Sequence, residues 1–389
     1  MKISELRARE NYDENLLSIL QNCLERDKSL NPAEPLQNVQ WFEHPIFSVY
    51  ITQDFCDDGR RYLNDMYRHA PRLIRRPIQA LATDIMTEPH LFKCLLKPRF
   101  ELPIAGNPKY QMWMPGNHRF RRFDFQNRTI RIYPKKGFSD AGIRREISLR
   151  QKWATQFDWI LPIFKIDASR AVFDEPLLEA IPFNRVSRVK RRQNILQQIP
   201  KILTQLHDCQ QSVVTGRTYL AQKRTQLEAA YRDFSQIFPG IQFNLIEQIW
   251  QRAANILKDV DKVQMSMTHG DFQPGNLLIA TEENNEGCWL IDWEDANLRA
   301  SVYDEMTWHL NSRSPRGLHK RVIQFLESPQ NVSWSLGEPA HVSVALWAIE
   351  EGIWLLESSS RQGITQLPEG LCQQFKECGA YLCTHANGI

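Results

Sequence analysis

The run Thr268-His269-Gly270-Asp271-Phe272-Gln273-Pro274-Gly275-Asn276-Leu277-Leu278-Ile279, followed by Leu290-Ile291-Asp292-Trp293-Glu294, decides how this chain is read. It sets three oxygen-bearing side chains on irregular backbone at the ends of short strands. Asp271 lies five residues before Asn276, and Asp292 leads out of the next strand. A carboxylate and an amide carbonyl make a hard oxygen pair, suited to Mg²⁺ holding phosphates. A second carboxylate, offset from that pair, can orient a hydroxyl and take its proton. Phosphoryl transfer needs this division of labour. Either piece alone reads as an acidic turn with capping residues. Both together, in order and at this spacing, point to that chemistry.

Upstream, Tyr110–Met114, Phe120–Phe125 and Arg128–Tyr133 alternate as strands do, joined by Pro115-Gly116-Asn117-His118 and Gln126-Asn127. A helix is expected at about Ala141–Thr155, where Ile143, Ile147 and Trp153 repeat at helical spacing, and then extended runs at Ile160–Ile166 and Ala171–Ile181. Beyond Pro182 apolar stripes at Ile195–Leu206 and Leu245–Leu257 predict helices, interrupted by strand-like Asn276–Ala280 and Cys288–Ile291. The expected division is a separate extension over 1–105, a strand-rich lobe and hinge over 106–181, and a helical lobe over 182–389. Residues 1–105 match no fold pattern.

Composition excludes several classes. The 389 residues are 42% hydrophobic, too many for a disordered chain, and suggest two or three structural units. A net charge of +3 argues against a polybasic nucleic-acid binder. The eight cysteines contain no C-x-x-C pair and are too sparse for a disulfide scaffold. The charged N-terminal stretch lacks a signal-peptide core, and no apolar run reaches 18 residues, so a cytoplasmic protein without a membrane anchor is expected.

The sequence resembles the aminoglycoside phosphotransferase and choline kinase superfamily of small-molecule kinases. His269–Asn276 matches that family's H-G-D-x-x-x-x-N catalytic loop, and Ile291–Glu294 its I-D-W-E metal-binding segment. The resemblance implies an α+β, two-lobed protein-kinase-like fold, with an antiparallel-sheet N-lobe and a mainly helical C-lobe. It implies ATP and Mg²⁺ as cofactors, Asp271 as base, Asn276 and Asp292 as metal ligands, and His269 as a brace. Asp304 fills the slot of a further family aspartate that holds the catalytic loop or lines the acceptor site. In the N-lobe, Arg144-Arg145-Glu146-Ile147 resembles the family's R-E-I helix start, so Glu146 would position a phosphate-binding cation. Thr129-Ile130-Arg131-Ile132-Tyr133-Pro134 resembles V-L-K-V-Y-P, which puts Arg131 where a lysine is usual, with Lys135 or Lys136 as substitutes. Arginine and lysine are not interchangeable there. Leu177–Pro182 resembles the hinge, with Glu179, Ala180 and Ile181 beside the adenine. The arginine and the single glycine of Pro115–His118 leave GTP as the alternative nucleotide.

Between Gly116 and Arg150 ten Lys and Arg face three acids, and Arg185–Arg192 adds a second basic cluster. Without a nucleic-acid-binding signature these read as solvated faces near a phosphate pocket, and no nucleic-acid partner is expected. Trp347, Glu350, Glu351 and Trp354 share one helix face, and Trp293 and Trp308 belong to the motif segment and the stretch just after it. Acids beside indoles make a receptor for a cationic group, and the competing reading is a core stripe. Asp304, Trp308, Trp347, Glu351 and Trp354 are therefore the acceptor-site candidates. The expected activity is transfer to a hydroxyl of a small molecule, whether a cationic amino alcohol, an aminoglycoside-like or a sugar-like compound. The alternative is a kinase-fold binding or scaffold protein of weak or lost activity. The sequence does not fix the oligomeric state.

Overall fold

The computed structural model describes residues 3–9, 12–30, 36–68, 75–104, 106–116, 118–135, 138–238, 244–281, 287–314, 316–328 and 338–361. In chain order, helices α1 (Ile3–Arg9) and α2 (Tyr12–Leu30) precede strands β1 (Gln37–His44) and β2 (Val49–Ile51). Helices α3 (Asp57–Arg68), α4 (Arg76–Thr87) and α5 (Pro89–Cys94) follow, then β3 (Lys97–Ile104). The alternating stretch forms β4 (Gln111–Pro115), β5 (Arg119–Asp124) and β6 (Thr129–Pro134). After it come α6 (Ala141–Trp153), β7 (Phe164–Asp167), β8 (Val172–Pro176) and β9 (Ala180–Pro182). The remainder runs α7 (Val189–Asp208), β10 (Gln211–Val214), α8 (Gly216–Ile237), α9 (Asn244–Leu257), β11 (Val263–Thr268), β12 (Leu277–Ala280), β13 (Cys288–Leu290), β14 (Asn297–Ala300), α10 (Val302–His309), α11 (Leu318–Glu327) and α12 (Ala340–Arg361).

The chain forms two compact units. Unit one is Met1–Arg192 with Leu277–Glu294, and unit two is Gln193–Asn276 with Asp295–Ile389. The boundary expected at residue 105 is absent. Strands β1–β3 continue the same antiparallel sheet as the alternating stretch, in the order β3-β1-β2-β4-β5-β6-β8-β7. Residues 1–105 lengthen this sheet by three strands and lay helices against both of its faces. Ile3, Leu6, Leu16 and Leu20 of α1 and α2 pack with Trp41, Trp113, Phe120 and Tyr133 on one face. Leu63 of α3, Phe92 of α5 and Ile143 and Ile147 of α6 pack with Met112, Phe123, Ile130 and Ile132 on the other. The second correction concerns β12 and β13. They belong to unit one rather than to the helical part, because Ile279 and Ala280 pair with Ile181 and Ala180 of β9.

Unit two is mainly helical. The stripes on α8, α9 and α12 meet in one core that includes Tyr219, Leu227, Ile249, Trp250, Leu346 and Trp347. No helix among the described residues is long and apolar enough to cross a membrane.

The first testable consequence lies in unit one. His44 is fully buried, its ring 4.6 Å from that of Phe47 and 4.7 Å from that of Phe92. Its Nε2 has no partner among the described residues. Burial lowers its pKa from 6.5 to about 4. The folded state therefore keeps His44 neutral while the unfolded chain protonates below pH 6.5. The stability this confers is full above pH 6.5 and is lost as pH falls toward 4. Between pH 7 and 5 unfolding should become easier by about 2 kcal/mol. A His44→Phe variant should lose that part of the slope in denaturant titrations. An identical slope in both proteins would refute the assignment.

Candidate active site

In unit two the polypeptide leaves β11 at Thr268 and turns at once. The turn is held by Asp304 at the start of α10, whose carboxylate accepts from the backbone nitrogens of His269 (2.5 Å) and Gly270 (3.0 Å). Gly270 has φ +85°, and a Cβ there would lie 2.2 Å from the Asp295 carbonyl oxygen, so only glycine fits. His269 is buried, and its Nδ1 accepts from the Asp271 backbone nitrogen at 3.3 Å. The turn thereby presents Asp271, whose Oδ2 accepts from Gln273 Nε2 (2.8 Å) and Asn276 Nδ2 (2.7 Å). Asn276 Nδ2 also donates to the Asp271 carbonyl at 2.9 Å. Both amide hydrogens are then spent within the loop, and the amide oxygen, the end that binds metals, is left to other partners. Burial raises the pKa of Asp271, and Arg313 opposes that rise without cancelling it.

Unit one holds the second segment. Asp292 follows β13 in a left-handed conformation, φ +64°, rare for a non-glycine residue. Its Oδ1 lies 3.1 Å from Arg121 Nη2 and 3.5 Å from Arg119 Nη1, and Oδ2 has no partner among the described residues. Arg119 also donates to Glu146 Oε2 at 3.0 Å and to Glu294. Burial alone would raise the pKa of Glu294, but Arg119 and then His118 hold it well below the usual carboxylate range. Arg150 closes the cluster, donating to Glu146 Oε1 (2.8 Å) and Glu175 (2.7 Å).

The cation at Glu146 is thus Arg119, not Arg131. Strand parity gives the reason. Helix α6, which carries Glu146, packs on the face that holds Ile130 and Ile132. Arg131 alternates to the opposite face, where Tyr133 meets α2. There it is buried and joined to its cross-strand neighbour Asp174 by bonds of 2.6 and 2.9 Å. In the register of β5 with β6, Arg119 faces Pro134 and Arg121 faces Ile132, so both arginines share the α6 face. The alternation in Arg119–Asp124 carries this signal, one strand away from the segment that resembles the family's lysine strand. Lys135 lies on the Arg131 side, its Nζ 5.4 Å from the Tyr12 ring and 3.3 Å from the Gly116 carbonyl oxygen. Lys136 lies outside the described residues.

At the expected hinge, Ala180 and Ile181 lie in β9, an edge strand of the order β13-β12-β9, so one row of its backbone groups has no strand beside it. The Glu179 carbonyl accepts from the Thr281 backbone nitrogen at 2.8 Å, and its exposed side chain pairs with Arg128. A shallow cavity adjoins this segment, lined by Tyr62 and Asp65 of α3, Phe125, Leu178 and Glu179.

The acceptor-side candidates divide. Trp347 is in the core, and Trp308 packs on Phe272, ring centroids 5.3 Å apart. Asp304 is spent on the catalytic turn. Trp293, in unit one, is buried against Trp153 and Trp159. Glu350 is a buried pin that accepts from Tyr219 (3.1 Å), the Ala300 nitrogen (3.1 Å) and Lys223 (2.9 Å). Glu351 and Trp354 meet as expected, but around a residue that the sequence did not single out. Arg313 lies 3.5 Å over the Trp354 ring, donates to Glu351, and donates through Nε to Asp271 Oδ1 at 2.5 Å. It comes from the irregular turn Asn311–Ser314, where no periodicity marks it.

Residues 161–323 match the family model described as the phosphotransferase enzyme family. The match runs from just before β7 through both motif segments to within α11. Among solved structures, the aminoglycoside phosphotransferase APH(4)-Ia, a thermostable mutant in ternary complex with AMP-PNP and hygromycin B, is 14% identical, with a TM-score of 0.51 over 72% of this chain and 95% of that one. The apo form of a thermostable APH(4)-Ia mutant gives 14%, 0.50, 72% and 95%. Choline kinase LicA from Streptococcus pneumoniae gives 14%, 0.44, 72% and 92%. At such identities the likeness to APH(4)-Ia speaks for the fold alone, a protein-kinase-like one. Comparison with curated proteins found no match. The phosphotransferase-family match and this fold together support a small-molecule phosphotransferase.

Proposed function

We propose that the protein transfers the γ-phosphoryl group of ATP, with GTP as the alternative donor, to a hydroxyl of a small molecule. The observation that carries this reading is the 269–276 turn. It is braced by Asp304 and holds the Asp271 carboxylate in place through Gln273 and Asn276. In the reaction the acceptor oxygen bonds to phosphorus as the bond to the nucleoside diphosphate breaks, and the hydroxyl proton passes to Asp271. The donor chemistry fits Mg²⁺: the Asn276 amide oxygen and Asp292 Oδ2 are hard oxygens that no described protein group occupies. When bound, the ion supplies charge neutralisation at the phosphates. Arg119 and Arg121 are the cations placed beside Asp292 and Glu146, and the open edge of β9 is offered to the base. Among the described residues, Cys23, Cys56, Cys94, Cys209 and Cys288 are in no disulfide.

A thermal-shift titration tests the nucleotide half of this reading. Mg·ATP or Mg·GTP at a hundred times its Kd should stabilise the fold by about 2.7 kcal/mol. ADP or GDP release across a panel of hydroxylated acceptors tests the other half. Stabilisation by neither nucleotide, together with no product release, would favour the scaffold alternative.

A further inference from the structure

We infer that Arg313 is a built-in occupant of the cation receptor of unit two, and that the acceptor is accordingly an uncharged, polyhydroxylated molecule rather than an amine. The inference rests on the phosphotransferase reading above and narrows its substrate class. The receptor keeps Trp354 and Glu351 of the helix face expected for a cationic acceptor and adds the Asp271 carboxylate. Arg313 satisfies all three. Its guanidinium carbon lies over the indole, 3.5 Å from the ring centroid, where a substrate ammonium would gain most from the ring. Its five N–H donors each have an acceptor: Asp271 for Nε, Glu351 and Ser312 Oγ for Nη1, and the Gly270 carbonyl and Tyr303 hydroxyl for Nη2. Glu351 spends its other oxygen on the Tyr303 hydroxyl at 2.8 Å. The Trp354 indole nitrogen is likewise engaged, donating to Asp295 at 3.0 Å.

Two exclusions follow. A cationic acceptor finds the indole face and the Glu351 carboxylate already taken by Arg313, so it gains neither the cation–π contact nor the ion pair that would recognise it. An anionic acceptor finds Asp271, Glu351 and Asp295 within one cluster and no free guanidinium hydrogen to bind it. A neutral hydroxyl meets neither obstacle, since the Asp271 carboxylate keeps lone-pair capacity beyond its three donors. Arg313 is in this sense a specificity-determining residue that also positions Asp271.

The test compares wild type with Arg313→Ala and Arg313→Gln. Tetramethylammonium and guanidinium ions should quench tryptophan fluorescence saturably in Arg313→Ala at millimolar concentration, and at least tenfold more weakly in wild type. This binding readout needs no turnover, so it stands if the phosphotransferase reading fails. In assays with Mg·ATP, wild type should use polyols and sugars with kcat/KM at least tenfold above any primary or quaternary amino alcohol. Both variants should lower that ratio at least tenfold, and the glutamine variant covers the case in which the alanine variant does not fold. Equal cation binding by wild type and variant would overturn the inference. So would wild-type turnover of an amine-bearing acceptor on a par with the best neutral one. ADP release from no acceptor alongside cation binding only in the variant would count against the phosphotransferase reading and leave Arg313 as the plug.

Discussion

Replacing Asp271 by Asn should lower phosphoryl transfer on the order of a thousandfold and leave Mg·ATP affinity within a few-fold of wild type. In barrier height this is about 4 kcal/mol. The substitution keeps shape and an acceptor oxygen but removes the proton-accepting carboxylate. The loop itself should survive, because Asp304 still holds the nitrogens of His269 and Gly270. Arg313 still has Glu351, Ser312, Tyr303 and the Gly270 carbonyl. The split between kcat and nucleotide Kd is the diagnostic reading. A variant retaining a tenth of wild-type turnover would show that Asp271 is not the base. A variant that loses Mg·ATP affinity in proportion to turnover would show that it acts in binding instead.

The second large effect is expected at Arg119. Its side chain is 5% exposed and reaches Glu146, itself 1% exposed, as well as Glu294 and Asp292. Removing one partner of a buried ion pair strands the others in a medium that solvates them poorly. Arg119→Leu should therefore cost roughly 3–5 kcal/mol in unfolding experiments. Arg119→Lys should recover part of this, since the charge returns without the fork that serves several carboxylates. The paired experiment is the double replacement Arg131→Leu with Asp174→Leu. It exchanges a buried ion pair for apolar groups and should be close to neutral in stability. It should also leave Mg·ATP affinity unchanged, because Arg131 faces away from α6. Loss of nucleotide binding in a folded double variant would return the phosphate-binding role to Arg131.

The residues that were legible in the sequence share one property: their placement follows from a short local pattern. The 268–279 and 290–294 runs each set a turn and candidate oxygen-bearing side chains within a few residues, so their spacing survives without knowledge of tertiary contacts. The alternation in Gln111–Pro134 and the apolar stripes of α7 and α9 similarly announce strands and helices before any packing is known. What was hidden depends on facing and on long-range pairing. Arg131 and Arg119 are both strand arginines, and only the packing of α6 on the Ile130 face says which meets Glu146. Trp347 and Trp354 lie on one helix face at i and i+7, yet one enters the core and the other carries Arg313. Arg313 itself approaches Asp271 across 42 residues from an irregular turn. Residues 1–105 carry no chemical motif; what they add, strands β1–β3 and helices α1–α5, is packing that many sequences can supply.

Unit one is completed out of order. Strand β9 ends at Pro182, but its partner β12 begins only at Leu277. During synthesis the edge of β9 therefore emerges about 100 residues before the strand that covers it. At roughly 5–20 residues per second, that is about 5–20 s of waiting. An unpaired edge during this interval can join any extended segment nearby, including one from a neighbouring nascent chain. A protein truncated before Leu277 would keep that edge open permanently. Its solubility should then depend on chaperone supply, whatever the quality of the eight-stranded sheet already formed.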